Sequence, residues 1–382
     1  MTNNIKTLLF VVNTPWFFLS HRLPLAIAAK KAGFDVHVAT TDGPEVSKIT
    51  SEGFIHHVVP FNRSRQNLSS NIASFLSLIK IFMSVKPDLV HLVTIKPVIF
   101  GGIAARIAGI KSVIAAISGL GTVFIDNSLF GRFRRVVVMR LYKAAFKHRC
   151  LKVIFQNLED SKIFLDNNLI PSQDVMIIRG SGVNLSDYPY LEEPDSLTTV
   201  VMASRLLWDK GVKEFVEAAK ILKSQNIEII FRLLGDSDPD NKTSIPEELI
   251  DQWKKEGIVE FLGYRDDIAY QYANAHIICL PSYREGLPKS LVEAAACGRS
   301  VVTTDVPGCR DAITPGLTGL LCLVKDSDSL AHAIKELAND PIKRQKMGKA
   351  GRHLAESEFA IEIIIEQHME IYKKLVMDVQ ER

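Results

Sequence analysis

Short apolar runs alternate with amphipathic stretches along almost the whole chain. The run at residues 7–12 is followed by a helical pattern over 20–32 and by a second apolar run at 35–40. Runs of this kind predict β-strands buried on both faces, because a strand with one face in water would alternate apolar and polar positions. The repeating strand–helix order therefore predicts an α/β protein with parallel sheets covered by helices.

Turn-forming residues divide this pattern into two halves. Gly, Ser, Asn, Asp and Pro cluster at residues 180–190, so we expect a domain boundary there. Residues 1–180 and 181–360 would then each form a Rossmann-like βαβ domain, and a helix would occupy 361–382. The strands are expected at residues 7–12, 35–40, 55–59, 89–92, 112–116, 151–156 and 175–178, and then at 198–204, 229–234, 259–262, 277–280, 301–303 and 320–323.

Two carboxylates flank a predicted helix start in the second half. Glu285 follows the apolar run 276–280, and Glu293 lies eight positions later, about one turn into the next helix. A helix N-terminus offers N–H groups and a positive dipole to a phosphate, and nearby carboxylates accept hydrogen bonds from sugar hydroxyls. The combination suggests a nucleotide-sugar site, although two solvated glutamates on a surface helix would give the same spacing. The amides at the helix start belong to Lys289, Ser290 and Leu291.

Two basic residues occupy the loop after an earlier strand. Arg205 and Lys210 follow the apolar run 198–202, and ligands of open parallel sheets bind at the carboxyl ends of strands. An arginine fork and a lysine point charge at this spacing can clamp a diphosphate. Two exposed basic side chains without a ligand are the alternative.

Charge is distributed unevenly along the chain. The formal net charge is +3, yet residues 1–180 hold 22 Lys and Arg against 10 Asp and Glu, whereas residues 181–382 hold 24 against 33. The segment 130–152 mixes basic and apolar residues at helical spacing and contains no acidic residue. Such a helix suits an anionic membrane surface. A solvated surface helix is the alternative, and nucleic acid is disfavoured because no helix-turn-helix or RNP motif accompanies the basic segment.

Cysteine usage and the lengths of the apolar runs indicate the compartment. Five cysteines are scattered without a Cys-x-x-Cys pair, which indicates buried thiols in a reducing environment and no structural zinc. The run 7–12 is too short for a signal peptide, and the stretch 98–110 falls short of the roughly 20 residues that a spanning helix needs. We therefore expect a cytoplasmic protein that is not integral to the membrane.

The motifs of the second half resemble a known family. Ser204-Arg205 and Lys210-Gly211, followed by Glu285-Gly-x-Pro and Glu293-Ala-x-Ala-Cys-Gly, are similar to retaining glycosyltransferase family 4, whose members have the GT-B fold. The segments 117–126 and 207–215 look closest to a bacterial subgroup that extends polyprenyl-diphosphate-linked saccharides of capsule, O-antigen and related glycans. The resemblance implies two Rossmann-like domains facing a central cleft, with the last helix returning to the first domain. It also implies that residues 1–180 bind the acceptor and residues 181–360 the nucleotide-sugar.

The resemblance implies roles for residues on the donor side. Arg205 and Lys210 would bind the donor diphosphate and stabilise the departing nucleotide, and Glu285 would complete the catalytic set by contacting the transferred sugar. Glu293 would accept the ribose hydroxyls, and Gly286 would let the backbone approach the sugar. Further phosphate and base contacts are implied for Gly235, Tyr264, Arg265, Lys289, Ser290 and Leu291.

The resemblance also implies the reaction. A hexose or N-acetylhexosamine, GalNAc foremost, would pass from a UDP-sugar to an undecaprenyl-diphosphate-linked saccharide with retention of configuration and without a metal or other cofactor. The acidic turn at 236–238 is predicted to be solvated. Front-face attack is expected, in which a donor phosphate oxygen takes the acceptor proton. The protein would act as a peripheral protein on the inner face of the cytoplasmic membrane.

The acceptor side departs from the family's pattern. The first loop, residues 13–22, lacks the Gly-Gly of many members, so donor-phosphate contacts do not transfer to it. Arg22 could meet the acceptor diphosphate, His21 could exchange a proton, and His91, at a strand end, would face the cleft. Closer relatives carry a carboxylate where Ser118 stands, so a general base is expected to be absent there. The residues expected on the acceptor side are Asn13, His21, Arg22, His91, Ser118 and Gly119.

Two other functions are compatible with the sequence. A GT-B nucleotide-sugar epimerase would share the fold but generally lacks the Arg–Lys and paired-glutamate motifs. A non-catalytic nucleotide-sugar binder would keep the fold and lose the chemistry. A dinucleotide dehydrogenase is disfavoured because no Gly-x-Gly-x-x-Gly follows a predicted strand.

Overall fold

The chain folds into two compact α/β units. The computed structural model describes residues 5–61, 68–120 and 128–380. Unit 1 contains residues 1–181 and 362–382, and unit 2 contains residues 182–361. Most of the family-like segment 117–126, from Gly121 onward, lies outside the described residues.

Unit 1 is built on one parallel sheet. Its strands are β1 (Lys6–Val11), β2 (Phe34–Thr40), β3 (Ile55–Val58), β4 (Leu89–Val93), β5 (Ser112–Ile117), β6 (Cys150–Phe155) and β7 (Val175–Ile177). Its helices before residue 182 are α1 (Pro15–His21), α2 (Leu23–Lys31), α3 (Val46–Ser51), α4 (Leu68–Val85), α5 (Gly102–Ile107), α6 (Leu129–Ala145) and α7 (Leu158–Asp166). Within the described residues the strand order is β3-β2-β1-β4-β5-β6-β7. Every residue of β4 and β5 is buried, as expected for central parallel strands.

Unit 2 repeats this architecture. Its strands are β8 (Thr199–Ala203), β9 (Ile230–Leu234), β10 (Val259–Gly263), β11 (Ile277–Leu280), β12 (Ser300–Thr304) and β13 (Gly319–Cys322). Its helices are α8 (Val212–Ser224), α9 (Glu247–Glu256), α10 (Ile268–Ala273), α11 (Lys289–Ala296), α12 (Ser327–Asn339) and α13 (Pro341–Leu354). The strands described for this unit form a parallel sheet in the order β10-β9-β8-β11-β12-β13. The predicted strands and the α/β class are thus confirmed.

One predicted element is wrong. The helical pattern over 20–32 is two helices, α1 and α2, separated at Arg22, and most of the expected first loop is α1. Thr14 begins α1, because its hydroxyl accepts a hydrogen bond from the N–H of Phe17 at 3.3 Å. Pro15 occupies the first helical position, where the missing N–H costs nothing.

The core of unit 1 has one apolar layer on each face of the sheet. Leu9 and Val11 of β1 pack on one side, and Leu8 and Phe10 pack on the other, as the two-residue period of a strand requires. The second layer includes Tyr372 of the last helix, α14 (Ile361–Gln380). The C-terminal helix is therefore part of the core of unit 1.

A polar cluster is buried between β4 and α14. His91, in the middle of β4, is fully buried, and its Nδ1 lies 2.6 Å from the hydroxyl of Tyr372. The ring of His368 stacks on His91 at 5.7 Å between centroids. Burial lowers the pKa of His91 well below its usual value and that of His368 to about 3, so both rings are neutral in the folded protein. The expectation that His91 ends a strand and is open to a ligand is wrong, because α14 covers it.

A left-handed glycine sets the distance between two connections of unit 2. Gly211, between the turn after β8 and α8, has φ +76°, and a Cβ there would lie 2.1 Å from the carbonyl oxygen of Pro281. Other residue types are strained at this φ, and the obstructing atom belongs to the backbone. Gly211 therefore lets the connections after β8 and β11 approach each other.

We predict that acid destabilises unit 1 through its buried histidines. An unfolded histidine has a pKa of about 6.5, so below that pH the unfolded chain takes up protons that folded His91 and His368 do not. Stability is complete above pH 6.5 and falls by up to about 1.4 kcal/mol per pH unit for each histidine as the pH drops. Urea unfolding of the wild type and His368→Leu across this range measures the effect. Equal pH slopes in the two proteins would contradict it.

We predict that Gly211→Ala is more damaging than Gly257→Ala. Both glycines have positive φ, but no atom lies within 4 Å of a Cβ built at Gly257. The backbone strain costs each variant roughly 1–3 kcal/mol, and the clash with Pro281 adds to the cost at Gly211. Melting temperatures of the two variants give the comparison. The same loss in both would show that the close approach at Gly211 does not constrain the fold.

Candidate functional site

Two connections of unit 2 meet at the carboxyl edge of its sheet. β8 and β11 are hydrogen-bonded neighbours, so the residues that follow them lie close together. Lys210 Nζ forms an ion pair with Glu285 Oε1, although the two residues are 75 positions apart. Both side chains are largely buried, with 20% and 13% exposed. The structure thus brings together two residues that the sequence indicated in separate loops.

The backbone around this ion pair is fixed by hydrogen bonds. Lys210 ends a short helical turn, residues 208–210, which stops at Gly211. The N–H of Tyr283 donates to the carbonyl of Asp209 at 2.9 Å, and the N–H of Glu285 donates to the carbonyl of Pro307 at 3.1 Å. Backbone hydrogen bonds therefore tie the connection that carries Glu285 both to the turn that carries Lys210 and to the loop after β12.

A third connection, residues 236–245 after β9, lies along the turn that carries Lys210. The N–H of Trp208 donates to the carbonyl of Thr243 at 2.8 Å. The hydroxyl of Thr243 donates to a carboxylate oxygen of Asp209 at 2.5 Å. Sequence reasoning missed Thr243, because a threonine in a polar loop follows no pattern that marks a long-range contact.

Arg205 has a different partner from Lys210. Its Nη1 lies 2.6 Å from Asp238 Oδ2, and 47% of its side chain is exposed. Asp236 accepts a hydrogen bond from the N–H of Tyr264 at 3.1 Å. The turn at 236–238 is partly solvated, as expected, since Asp236 is exposed, but both of its carboxylates also bind neighbouring loops.

The ends of β9 and β10 border a cavity of about 510 Å³. Gly235 and Gly263 line it, and the N–H of Gly235 donates to the carbonyl of Gly263 at 2.7 Å. Tyr264, the next residue, is 66% exposed. Arg265 binds both carboxylate oxygens of Asp267, at 2.8 and 2.6 Å, which lowers the pKa of Asp267 to about 2 and raises that of Arg265. Arg265 is thus engaged within its own loop.

Glu293 lies inside α11 and is 7% exposed. Its Oε1 accepts a hydrogen bond from the hydroxyl of Tyr188 at 2.6 Å and lies 3.3 Å from Lys289 Nζ. Burial, together with the Glu293 carboxylate, raises the pKa of Tyr188, so the phenol keeps its proton and donates. Sequence reasoning missed Tyr188, which lies in the turn-rich stretch at the domain boundary.

The start of α11 differs in one respect from the expectation. The helix begins at Lys289, with Pro288 as a cap that supplies no side-chain hydrogen bond, and Ser290 follows in the first turn. The N–H of Leu291 donates to the carbonyl of Pro288 at 3.1 Å, so this amide is already used. The loop after β12 packs closely on the connection that carries Glu285. A Cβ built on Gly308 of this loop would lie 2.6 Å from the carbonyl oxygen of Gly286.

The residues indicated in unit 1 follow neighbouring strands. Asn13 comes after β1, and Ser118 and Gly119 come after β5. Among the described residues, Asn13 Oδ1 and Ser118 Oγ are buried without a hydrogen-bond partner. Gly119 has φ +107°, a conformation that a side chain would strain. β4 alone separates β1 and β5, so these polar side chains follow strands close together in the sheet.

His21 and Arg22 lie at the end of α1. The His21 ring stacks on Phe17 at 4.0 Å, and its Nδ1 lies 2.6 Å from the hydroxyl of Ser20. Arg22 is 3% exposed, and its Nη1 donates to the carbonyl of His21 at 2.9 Å. Burial lowers the pKa of Arg22 to about 10, which leaves it cationic at neutral pH. A buried guanidinium therefore lies near the cluster of His91, His368 and Tyr372 in unit 1.

Three further properties bear on ligands and membranes. Within residues 5–61, 68–120 and 128–380, no group of three or more His, Cys, Asp or Glu side chains could hold a metal ion. In the same part of the chain, no helix is both long and apolar enough to cross a bilayer. All five cysteines are buried, free thiols.

Solved structures share this fold at low sequence identity. HepE from Anabaena in complex with UDP has a TM-score of 0.76 and 20% identity, covering 97% of this chain and 100% of that one. Sucrose-phosphate synthase from Thermosynechococcus elongatus has a TM-score of 0.79 and 20% identity, covering 98% and 100%. These similarities show the GT-B fold, with its two Rossmann-like domains.

Characterised relatives are more similar in sequence. The chain is 30% identical to N,N'-diacetylbacillosaminyl-diphospho-undecaprenol alpha-1,3-N-acetylgalactosaminyltransferase of Campylobacter jejuni, over 95% of this chain and 99% of the relative. It is 26% identical to the capsular polysaccharide biosynthesis glycosyltransferase CapM of Staphylococcus aureus, over 91% and 92%. It is 24% identical to UDP-Gal:alpha-D-GlcNAc-diphosphoundecaprenol alpha-1,3-galactosyltransferase of Escherichia coli, over 81% of each chain.

Two family models match the chain, one in each unit. The model of glycosyl transferase 4-like proteins matches residues 7–157, and that of glycosyl transferases group 1 matches residues 189–354. With these matches and a relative of 30% identity along nearly the full length, the chain belongs to glycosyltransferase family 4 and has the GT-B fold.

Proposed function

We propose that the protein is a retaining glycosyltransferase that moves a hexose or N-acetylhexosamine, GalNAc foremost, from a UDP-sugar to an undecaprenyl-diphosphate-linked saccharide. The observation that carries the proposal is the ion pair of Lys210 and Glu285 at the carboxyl edge of the unit 2 sheet. The relatives from Campylobacter jejuni and Escherichia coli are named for transfer to such acceptors, and the HepE complex contains UDP. GalNAc is favoured because the relative named for it has the higher identity.

Lys210 and Arg205 bind the donor diphosphate in this proposal. The partly exposed pair of Arg205 with Asp238 contributes only about 0–1 kcal/mol, so a diphosphate can replace Asp238 at little cost. Lys210 stays beside Glu285, whose carboxylate accepts hydroxyls of the transferred sugar. The two cations supply the charge neutralisation that a metal provides in other transferases.

The nucleoside binds next to these groups. Glu293 accepts the ribose hydroxyls, and the base lies near Gly235, Tyr264 and Arg265. Gly286 and the first turn of α11 at Lys289 and Ser290 approach the sugar and phosphate, where the helix dipole favours negative charge. The amide of Leu291 is excluded from this set because it binds Pro288.

The proposed chemistry is front-face substitution at the anomeric carbon. The bond from that carbon to the β-phosphate oxygen breaks while the acceptor hydroxyl oxygen bonds to the same face. The acceptor proton passes to an oxygen of the departing diphosphate, and UDP leaves. Lys210 and Arg205 stabilise the negative charge that develops on this diphosphate.

Unit 1 binds the acceptor in this proposal. Arg22 provides the cation for the acceptor diphosphate, and Asn13, Ser118 and Gly119 follow the ends of β1 and β5. His21 lies beside Arg22 and contacts it through its backbone carbonyl. His91 is removed from the acceptor residues because it is enclosed under α14.

Helix α6 is the proposed contact with an anionic membrane surface, on the inner face of the cytoplasmic membrane. Its apolar side chains that face solvent recur at helical spacing, and basic residues accompany them, so the same face is apolar and cationic. Tyr142, on the opposite face, is fully buried. The exposed apolar residues are Leu129, Phe133, Val136, Val137 and Leu141. The exposed basic residues of α6 are Arg132, Arg140 and Lys143, and Lys147 and Arg149 follow the helix.

We predict that Lys210→Ala and Glu285→Ala abolish transfer without unfolding the protein. Loss of one group that stabilises developing charge costs about 10²–10³-fold in kcat. Transfer of labelled GalNAc from UDP-GalNAc to a short lipid-diphosphate saccharide measures the rate, and NMR of the product reports the anomeric configuration.

Lys220→Ala is the matched control, because Lys220 forms an ion pair with Glu256 on the surface of the same unit. It should keep full activity, as should the wild type in EDTA. Full activity of either site variant would refute the site assignment. If the protein binds a UDP-sugar but transfers no sugar from any UDP-hexose or UDP-N-acetylhexosamine to any lipid-diphosphate saccharide, a non-catalytic binder is favoured.

We predict that Phe133→Ser/Val137→Ser weakens binding to anionic vesicles. Each apolar side chain contributes roughly 1.5–3 kcal/mol when fully buried, and partial insertion should give at least a tenfold loss in partitioning. Sedimentation with vesicles that contain phosphatidylglycerol measures it.

Ile342→Ser serves as the control, since Ile342 is 82% exposed in unit 2 and outside α6. It should bind vesicles like the wild type. Equal binding of the α6 variant and the wild type would remove α6 as the membrane contact.

A further inference from the structure

The first residues of unit 2 run along α11 and α13 and bind side chains of both helices. We call residues 182–194 the junction segment, since they follow directly on unit 1 in the chain. The carbonyl of Leu191 accepts a hydrogen bond at 2.8 Å from Arg299, which is 1% exposed. Glu193 forms an ion pair with Arg344 at 2.8 Å in which both side chains are less than 10% exposed. The junction segment is therefore firmly attached to unit 2.

Tyr188 lies in the middle of the junction segment. Its backbone carbonyl accepts a hydrogen bond from Arg352 at 2.8 Å, which fixes the main chain at this residue. Two residues later, the ring of Tyr190 packs against Gly298 so closely that a Cβ on Gly298 would lie 2.1 Å from it. Contacts with unit 2 therefore hold the backbone on which the Tyr188 hydroxyl reaches Glu293 of α11.

The two contacts that the structure gives for the Glu293 carboxylate are both on one oxygen. Oε1 accepts from the Tyr188 hydroxyl at 2.6 Å and lies 3.3 Å from Lys289 Nζ. A carboxylate held through one oxygen has a defined orientation, and its second oxygen keeps its lone pairs for other donors. Glu293 Oε2 is therefore the oxygen that suits a ligand.

We propose that Tyr188 is a positioning residue for the nucleotide of the donor. By donating to Glu293 Oε1 from the junction segment, it orients the carboxylate so that Oε2 accepts vicinal hydroxyls of the nucleoside. The inference rests on the proposed function, in which Glu293 meets the ribose. Tyr188 itself does not touch the reacting atoms, so its loss affects binding of the nucleotide and leaves the chemical step intact.

The alternative role for Tyr188 is purely structural, and it makes different predictions. A purely structural hydrogen bond would contribute to folding whether or not Glu293 is ionised. Its loss would not specifically weaken binding of the nucleotide. A positioning bond acts through Glu293, so the effects of removing the two groups cannot add. A double-mutant cycle separates the two roles.

The experiment measures binding of UDP by calorimetry, and KM and kcat for the UDP-sugar, in five proteins. They are the wild type, Tyr188→Phe, Tyr190→Phe, Glu293→Gln and the double variant Tyr188→Phe/Glu293→Gln. Tyr190→Phe is the matched control, because it removes a hydroxyl from the same junction segment and keeps the ring that packs on Gly298.

We expect Tyr188→Phe to raise the Kd for UDP and the KM for the donor about tenfold, as loss of a hydrogen bond to a charged group does, with kcat within about twofold. Tyr190→Phe should match the wild type. Glu293→Gln should weaken UDP binding at least as much as Tyr188→Phe, and the double variant should be no weaker than Glu293→Gln.

Each other outcome overturns a specific part of the argument. If Glu293→Gln binds UDP like the wild type, the nucleotide site of the proposed function is wrong. If Glu293→Gln weakens binding but Tyr188→Phe does not, the site stands and the positioning role is wrong. Additive losses in the double variant, or a fall in kcat of Tyr188→Phe as large as the rise in KM, would likewise refute positioning through Glu293.

Discussion

The ion pair of Lys210 and Glu285 is the interaction on which the site depends. Its two side chains come from loops 75 residues apart and are largely removed from water. Taking such charges out of water costs several kcal/mol per ion, and the attraction between the two ions offsets part of that cost. The pair also requires the backbones after β8 and β11 to touch, and Gly211 makes that contact possible. Side-chain electrostatics and a single glycine therefore depend on each other.

Charge pairing extends beyond this one contact. Each cation that the sequence indicated on the phosphate side of unit 2 has a carboxylate partner in the structure. The pairs are Arg205 with Asp238, Lys210 with Glu285, and Lys289 with Glu293. These pairs leave none of the six side chains as a buried unpaired charge. An incoming diphosphate must then compete with carboxylates, and the most exposed pair, at Arg205, is the easiest to exchange.

The sequence predicted the sheets well because their central strands are largely apolar runs, such as β11. It also predicted which loops carry the chemistry, since in parallel sheets these follow the strands. It failed where a contact joins distant residues without a periodic signal. Tyr188 and Thr243 lie in polar, turn-rich stretches, and their partners are 105 and 34 residues away. The helix α1 was missed because a Thr–Pro start followed by aromatic residues resembles a loop.

His91 shows why a single residue can be misread even when its strand is predicted correctly. A histidine in an apolar run near the carboxyl edge of a sheet suggests a ligand contact. Whether it is covered depends on a helix nearly 300 residues later in the chain, since Tyr372 of α14 is 281 positions away. The same helix explains why unit 1 tolerates buried, neutral histidines, because it supplies a hydroxyl to one ring and stacks a second ring on it. Arg22, buried close enough to lower the pKa of both histidines, adds positive charge to this region and makes protonation of either ring still less favourable. The cluster is thus kept neutral apart from one guanidinium. Among the described residues the structure gives Arg22 no ion pair, so its charge would attract a negative ligand nearby.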